Sequence, residues 1–230
     1  MRRFDTPLAP PGWTGQGAEL LRIVDPLGRA IAWLAPSFGA ACVGYAVRQG
    51  NDADGPWRQI FRAGGPRALR EAPLAYGCTL LGPTPDEPTA AQLARWRFVE
   101  RDPTAATCAA RHETVQFTLT AHLDDGALHL DLLATNEGAT ALPLALGLRL
   151  CFADDFRVVP PTLDPPRLRS ADGAMQLSLH PTDNTAPRWQ IPEHPRGHTA
   201  VEAHTPIAPG AMIAPGAELR LGVVVVSRGS

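Results

Sequence analysis

Lysine is absent from this chain of 230 residues, so all 21 of its basic residues are arginine. A lysine Schiff base and a lysine general base are thereby excluded, because a guanidinium keeps its proton at neutral pH and cannot replace either. Cysteine is scarce. Cys42, Cys78, Cys108 and Cys151 stand singly with no C-x-x-C pair, which argues against a zinc cluster or a dithiol redox motif and leaves buried free thiols as the expectation. The histidines show neither H-x-H nor H-E-x-x-H spacing, so no metal site is expected, and G-x-S-x-G and P-loop motifs are missing. No window approaches the ~18 apolar residues of a membrane span, and the N-terminus has no apolar run of signal-peptide length. A cytoplasmic protein with no membrane partner and no cofactor is the expectation. The formal charge is −2 with basic residues scattered, so no patch is suited to nucleic acid.

What the sequence does contain is alternation. Residues 1–17 are rich in Pro and Gly and read as an arm, and 18–230 as a single domain whose 44% apolar content suffices for a large core. From Val115 to Phe152 three runs, VQFTLTAHL, ALHLDLLAT and LPLALGLRLCF, are joined by Asp124-Asp125-Gly126 and Asn136-Glu137-Gly138, which read as hairpin turns. In the first run Val115, Phe117, Leu119, Ala121 and Leu123 share one face, the period-two signature of a half-buried strand. In the third, Arg149 stands among Ala145, Gly147 and Cys151 opposite a row of leucines. Further strands are expected around Glu19–Val24, Arg29–Leu34, Cys42–Arg48, Trp57–Phe61, Cys78–Leu81, Ala94–Glu100, Ala105–Arg111, Met175–His180, Thr199–Thr205 and Glu218–Ser227. The eight prolines between Ala153 and His198 suggest long loops. With no convincing helix, the fold class is all-β, a large antiparallel β-sandwich.

The dG-L strand, the TNxG turn and the P-L-x-L-G-L-x-x-x-F strand, with a later VEAHT segment and a final PG-A-E-L-R-L strand, resemble the galactose mutarotase-like superfamily, the aldose 1-epimerases and their relatives. The resemblance covers the second half of the chain well and the first half loosely. It implies a small-molecule carbohydrate as ligand and isomerisation at the anomeric carbon. That reaction needs a base for the C1 hydroxyl proton and an acid for the ring oxygen. In the family a Glu on a late strand is the base, and Glu202 stands where it is expected. The family's acid is a His, and its position in the third run holds Arg149, which cannot give up a proton at neutral pH. The family's H-G motif has no counterpart, although Leu93-Ala94-Arg95-Trp96 resembles its tail.

His204, two residues from Glu202 on one strand, faces the same side and offers a substitute acid; the bland alternative makes both solvated outer-face residues. Arg149 either grips a carboxylate or phosphate, implying an acidic or phosphorylated sugar, or pairs with Asp131 or Asp154. Asp183 lies where the family places a sugar-binding Asp, and Trp189 and Trp96, with Arg95 beside it, are candidate sugar contacts. Two other readings stay open: a non-catalytic carbohydrate-binding domain that lost the acid, and a sandwich reused for assembly.

Overall fold

The computed structural model describes residues 9–10, 12–13, 19–50, 55–82, 94–163, 165–182, 185–192, 198–206 and 211–229. Most of the expected arm, residues 1–8, 11 and 14–17, lies outside them. The chain forms the expected hairpin of β1 (Leu21–Val24) and β2 (Ala30–Ala35), then β3 (Ala41–Arg48), β4 (Trp57–Gln59), a short helix α1 (Pro66–Glu71) and β5 (Cys78–Leu81). Strands β6 (Arg97–Arg101), β7 (Ala105–His112), β8 (Val115–Asp124) and β9 (Ala127–Asn136) follow as successive hairpins of a second sheet. After β10 (Leu142–Pro143) the chain re-enters the first sheet as β11 (Gly147–Cys151). It returns to the second as β12 (Phe156–Leu163), β13 (Pro166–Ser170) and β14 (Met175–Pro181). Next come β15 (Arg188–Gln190) and β16 (Ala200–His204) of the first sheet, β17 (Met212–Ile213), and β18 (Glu218–Gly229) of the second.

The front sheet thus has the order β1-β2-β3-β5-β11-β16-β15 with β4 beside β3, the back sheet β12-β13-β14-β18-β9-β8-β7-β6, and β10 pairs with β17 in a separate ribbon. The fold is the all-β antiparallel sandwich expected. One apolar cluster fills the space between the sheets, with Leu34, Tyr45, Phe61, Leu150 and Val201 from the front side and Phe117, Leu130, Leu177 and Val223 from the back. β8 alternates buried and half-buried residues as its period-two pattern requires, down to Leu123.

A buried carboxylate joins the sheets at one end. The β8–β9 turn runs through Asp125 and Gly126, both at positive φ (47° and 78°), the geometry of a two-residue hairpin loop whose twist matches its strands. Asp25, in the β1–β2 turn, accepts the Gly126 N–H at 3.0 Å and the Leu27 and Arg29 N–H groups at 3.1 and 3.2 Å. Tyr45 donates its hydroxyl to the Gly126 carbonyl at 2.6 Å.

The structure corrects four expectations. The run from Leu142 to Phe152 is two strands, because the chain crosses through residues 144–146 from the β17 ribbon to the front sheet. For the same reason Asn136-Glu137-Gly138 closes no hairpin. The fully buried Asn136 instead holds the crossover, its amide nitrogen donating to the Thr140 and Ile213 carbonyls and its oxygen accepting the Gly138 N–H, each at 2.9 Å. The proline-rich stretch after Ala153 contains β12 and β13, since Pro160 and Pro161 sit in an edge strand at a register shift, where a missing N–H breaks no ladder bond. Helix α1 carries no sequence signature of its own, since six residues show little periodicity, although Pro66 occupies its first turn as helix starts favour.

The outer face of the front sheet divides into an apolar and a mainly polar part. Trp13, Ile31, Trp33, Val43 and Leu69 form a second apolar cluster over β2 and β3, pinned by a hydrogen bond from the Trp13 indole to the Gly64 carbonyl at 2.8 Å. The rest of that face, on β5, β11, β16 and β15, carries Thr79, Arg149, Glu202, His204, Arg188 and Gln190, with Leu81, Cys151 and Ala200 among them.

Two outcomes follow. Asp25→Ala strands several N–H groups at once and should lower the unfolding free energy by about 2–4 kcal/mol in a urea titration; a loss under about 0.5 kcal/mol would mean that water replaces the carboxylate. Burial pushes the Cys42 and Cys108 thiols up to about 12 and raises Cys78 well above its ordinary value. An aromatic disulfide reagent at neutral pH should therefore titrate none of the four thiols in the native protein and all four after denaturation.

Candidate functional site

β11 and β16 pair in one fixed register, with Leu148 opposite Ala203, Arg149 opposite Glu202 and Leu150 opposite Val201. Opposed residues in an antiparallel pair project to the same side, so the apolar pairs enter the core and Arg149 and Glu202 meet on the outer face. The Arg149 Nη1 donates to Glu202 Oε1 at 2.6 Å, and His204 Nε2 lies 2.9 Å from Glu202 Oε2. Arg149 and Glu202 are nearly buried, with 11% and 12% of their side chains exposed, while His204 is 31% exposed and open to a ligand. Gly147, opposite His204, leaves the space that the imidazole uses: a Cβ there would stand 2.9 Å from His204 Nδ1 and 3.0 Å from the Leu81 Cβ.

Burial alone would raise the Glu202 carboxyl, but the His204 hydrogen bond and the Arg149 charge outweigh it and hold the group below its ordinary value. Glu202 is therefore ionised at neutral pH. Each of its oxygens has one bound donor, and a carboxylate offers about four acceptor sites, so both oxygens can still accept a hydrogen bond. Arg149 Nε and the neighbouring Thr79 hydroxyl are buried with no hydrogen-bond partner among the described residues.

The expected partners of Arg149 are corrected by this register. Glu202 takes it, Asp154 pairs with Arg62 at 3.1 Å, and Asp131 belongs to the back sheet. Arg62 also contacts His198 Nδ1 at 3.1 Å and lies over the Tyr76 ring, close to the end of β11. Cys151 shares the Arg149 face and bonds the Leu74 carbonyl at 3.2 Å, and burial sets its thiol at about 11 in spite of Arg149 and Arg62.

Of the other residues singled out in the sequence, none that the structure describes joins this group. Asp183 lies outside the described residues. Trp189 packs against the core, on the opposite side of β15 from Glu202. Trp96 is buried against Phe117, ring centroids 6.2 Å apart, and exposed Arg95 precedes β6 at the edge of the back sheet. Thr79, Arg188 and Gln190 belong to the Glu202 face without a motif that marks them in the sequence. The signal for the last two was their period-two spacing about Trp189, which becomes readable only with β15 placed beside β16. A cleft of about 590 Å³ opens elsewhere, among Arg29, Arg48, Asp125, Gly126 and Ser227 at the Asp25 end, and holds none of the residues singled out. Among the described residues no group of three or more His, Cys, Asp or Glu could hold a metal ion, and no helix is long and apolar enough to cross a membrane.

No family model and no curated protein sequence matches the chain. Solved structures do. A putative aldose 1-epimerase from Escherichia coli K12 superposes with a TM-score of 0.70 at 13% identity, covering 93% of this chain and 100% of that one. A galactose mutarotase-like protein from Clostridium acetobutylicum gives 0.64 at 10% identity over 93% and 99% of the two chains. One from Lactobacillus casei gives 0.64 at 16% identity over 91% and 100%. The fold is that of the galactose mutarotase-like proteins, in a sequence far diverged from these neighbours.

Gly147→Ala should displace the His204 ring and leave the Arg149–Glu202 pair in place. The expected observation is a changed His204 signal in an imidazole NMR spectrum with little change in stability. An unmoved ring would mean that Leu81 yields instead. Because the folded-state value of Glu202 is depressed, its pairing stabilises the protein above the unfolded carboxylate range of about 4.3 and is lost as pH falls through the lower folded value. The stability gap between wild type and Glu202→Gln should accordingly narrow below about pH 4.

Proposed function

We propose that the protein is an aldose 1-epimerase-like isomerase of a small carbohydrate, with Glu202 as base, His204 as acid and Arg149 as the fixed cation that steadies both. The observation that carries this reading is the hydrogen-bonded series Arg149–Glu202–His204 on the outer face of the front sheet. Glu202 takes the proton of the C1 hydroxyl, the bond from C1 to the ring oxygen breaks, and the ring oxygen receives a proton from His204. Rotation about C1–C2 and the reverse transfers close the ring on the other face. The sequence of steps only relocates protons, so it calls for no cofactor. Arg149 holds charge and transfers no proton, which makes His204 the donor in this chain. The four buried free thiols suit a reducing compartment, and the proposed setting is the cytoplasm.

The second reading, a non-catalytic sugar-binding domain, draws on the same pair. A carboxylate neutralised by a guanidinium at 2.6 Å is a weakened base. Magnetisation-exchange NMR of anomer interconversion separates the two. The epimerase reading expects acceleration that falls by about 10²-fold or more in both Glu202→Gln and His204→Gln. Ligand line broadening without acceleration would leave the binding domain.

A further inference from the structure

β15 is the three-residue edge of the front sheet, and its ends face outward while Trp189 between them turns to the core. Its register against β16 sets Arg188 opposite His204 and Gln190 opposite Glu202. One strand spacing, about 4.8 Å, therefore separates the Arg188 backbone from that of His204, and the two side chains rise from the same face. The other arginines of this region are committed: Arg149 to Glu202, Arg62 to Asp154, and Arg58 to Asp155 and Asp172. Arg188 is exposed, and its side chain makes no hydrogen bond or ion pair among the described residues. Among the described residues, two guanidiniums and one carboxylate give this face a net positive charge even when His204 is neutral.

We infer that the ligand is an anionic sugar, carrying a carboxylate or a phosphate, and that Arg188 is the residue that binds the anion. This rests on reading the Glu202 face as the sugar site. With the anomeric carbon at Glu202 and His204, the substituent at the far end of a pyranose ring extends by roughly one strand spacing, toward β15. There it meets a guanidinium whose fork matches both carboxylate and phosphate, and Gln190 supplies a neutral donor beside it. The anion completes a pairing that the protein leaves open. Arg149, already held by Glu202, stays with the reacting end.

The test is isothermal titration with glucose, glucuronate and glucose 6-phosphate against wild type, Arg188→Gln and Arg188→Lys. Wild type should bind at least one anionic sugar about tenfold or more tightly than glucose, and Arg188→Gln should bring the ratio close to one. Arg188→Lys should recover the preference for phosphate better than that for carboxylate, because an ammonium supplies a point charge without the planar fork. Wild type without an anionic preference, or Arg188→Gln that keeps it, overturns the inference, as does the absence of binding by all three sugars. The readout is binding, so it stands apart from turnover. A preference abolished in Arg188→Gln without anomer exchange would sink the proposed reaction and support the anion site. Exchange of glucose with no anionic preference would do the reverse.

Discussion

A strand whose one face is packed into a core can display charge only on the other, and which residues meet there is decided by register. The pairing of β11 with β16 is that decision in this protein. Leu148, Leu150, Val201 and Ala203 fill core positions, so the register that buries them also sets Arg149 against Glu202. A slip of one residue would turn the arginine and glutamate into the sandwich and the leucines out to solvent, at a cost no local contact could offset. The polar group is held by the apolar one behind it.

The same logic explains why the outer face is divided. A second apolar cluster under Trp13 and Leu69 shields β2 and β3, and the Asp25 carboxylate fastens the hairpin turns of both sheets at one end. Those fixed parts give the polar group on β11, β16 and β15 a rigid support. Gly147 extends the support by withholding a side chain, so that His204 lies close over the backbone.

Much of the sandwich was legible because alternation is written into each strand separately: β8 and β9 read directly, and so did the shared face of Glu202 and His204. What joins distant strands was not. Arg149 and Glu202 are 53 residues apart, and nothing local names one as the partner of the other. Asp131 and Asp154 were equally plausible on charge alone. The crossover at Asn136 imitated a hairpin because the same turn residues serve both purposes, and the prolines of β12 disguised a strand that tolerates them only by lying at an edge. Trp189 has the composition of a sugar platform, and pleat parity, invisible until β15 is placed, sends it to the core.

That edge position has a bearing on how the molecule meets its neighbours. The back sheet ends on one side in β12, where two consecutive prolines interrupt the row of N–H groups, and on the other in β6, which carries Arg97, Glu100 and Arg101. Neither edge presents the long, flat, uncharged template on which a further strand is laid down. The back sheet is thereby protected at both edges from continuing into a second copy.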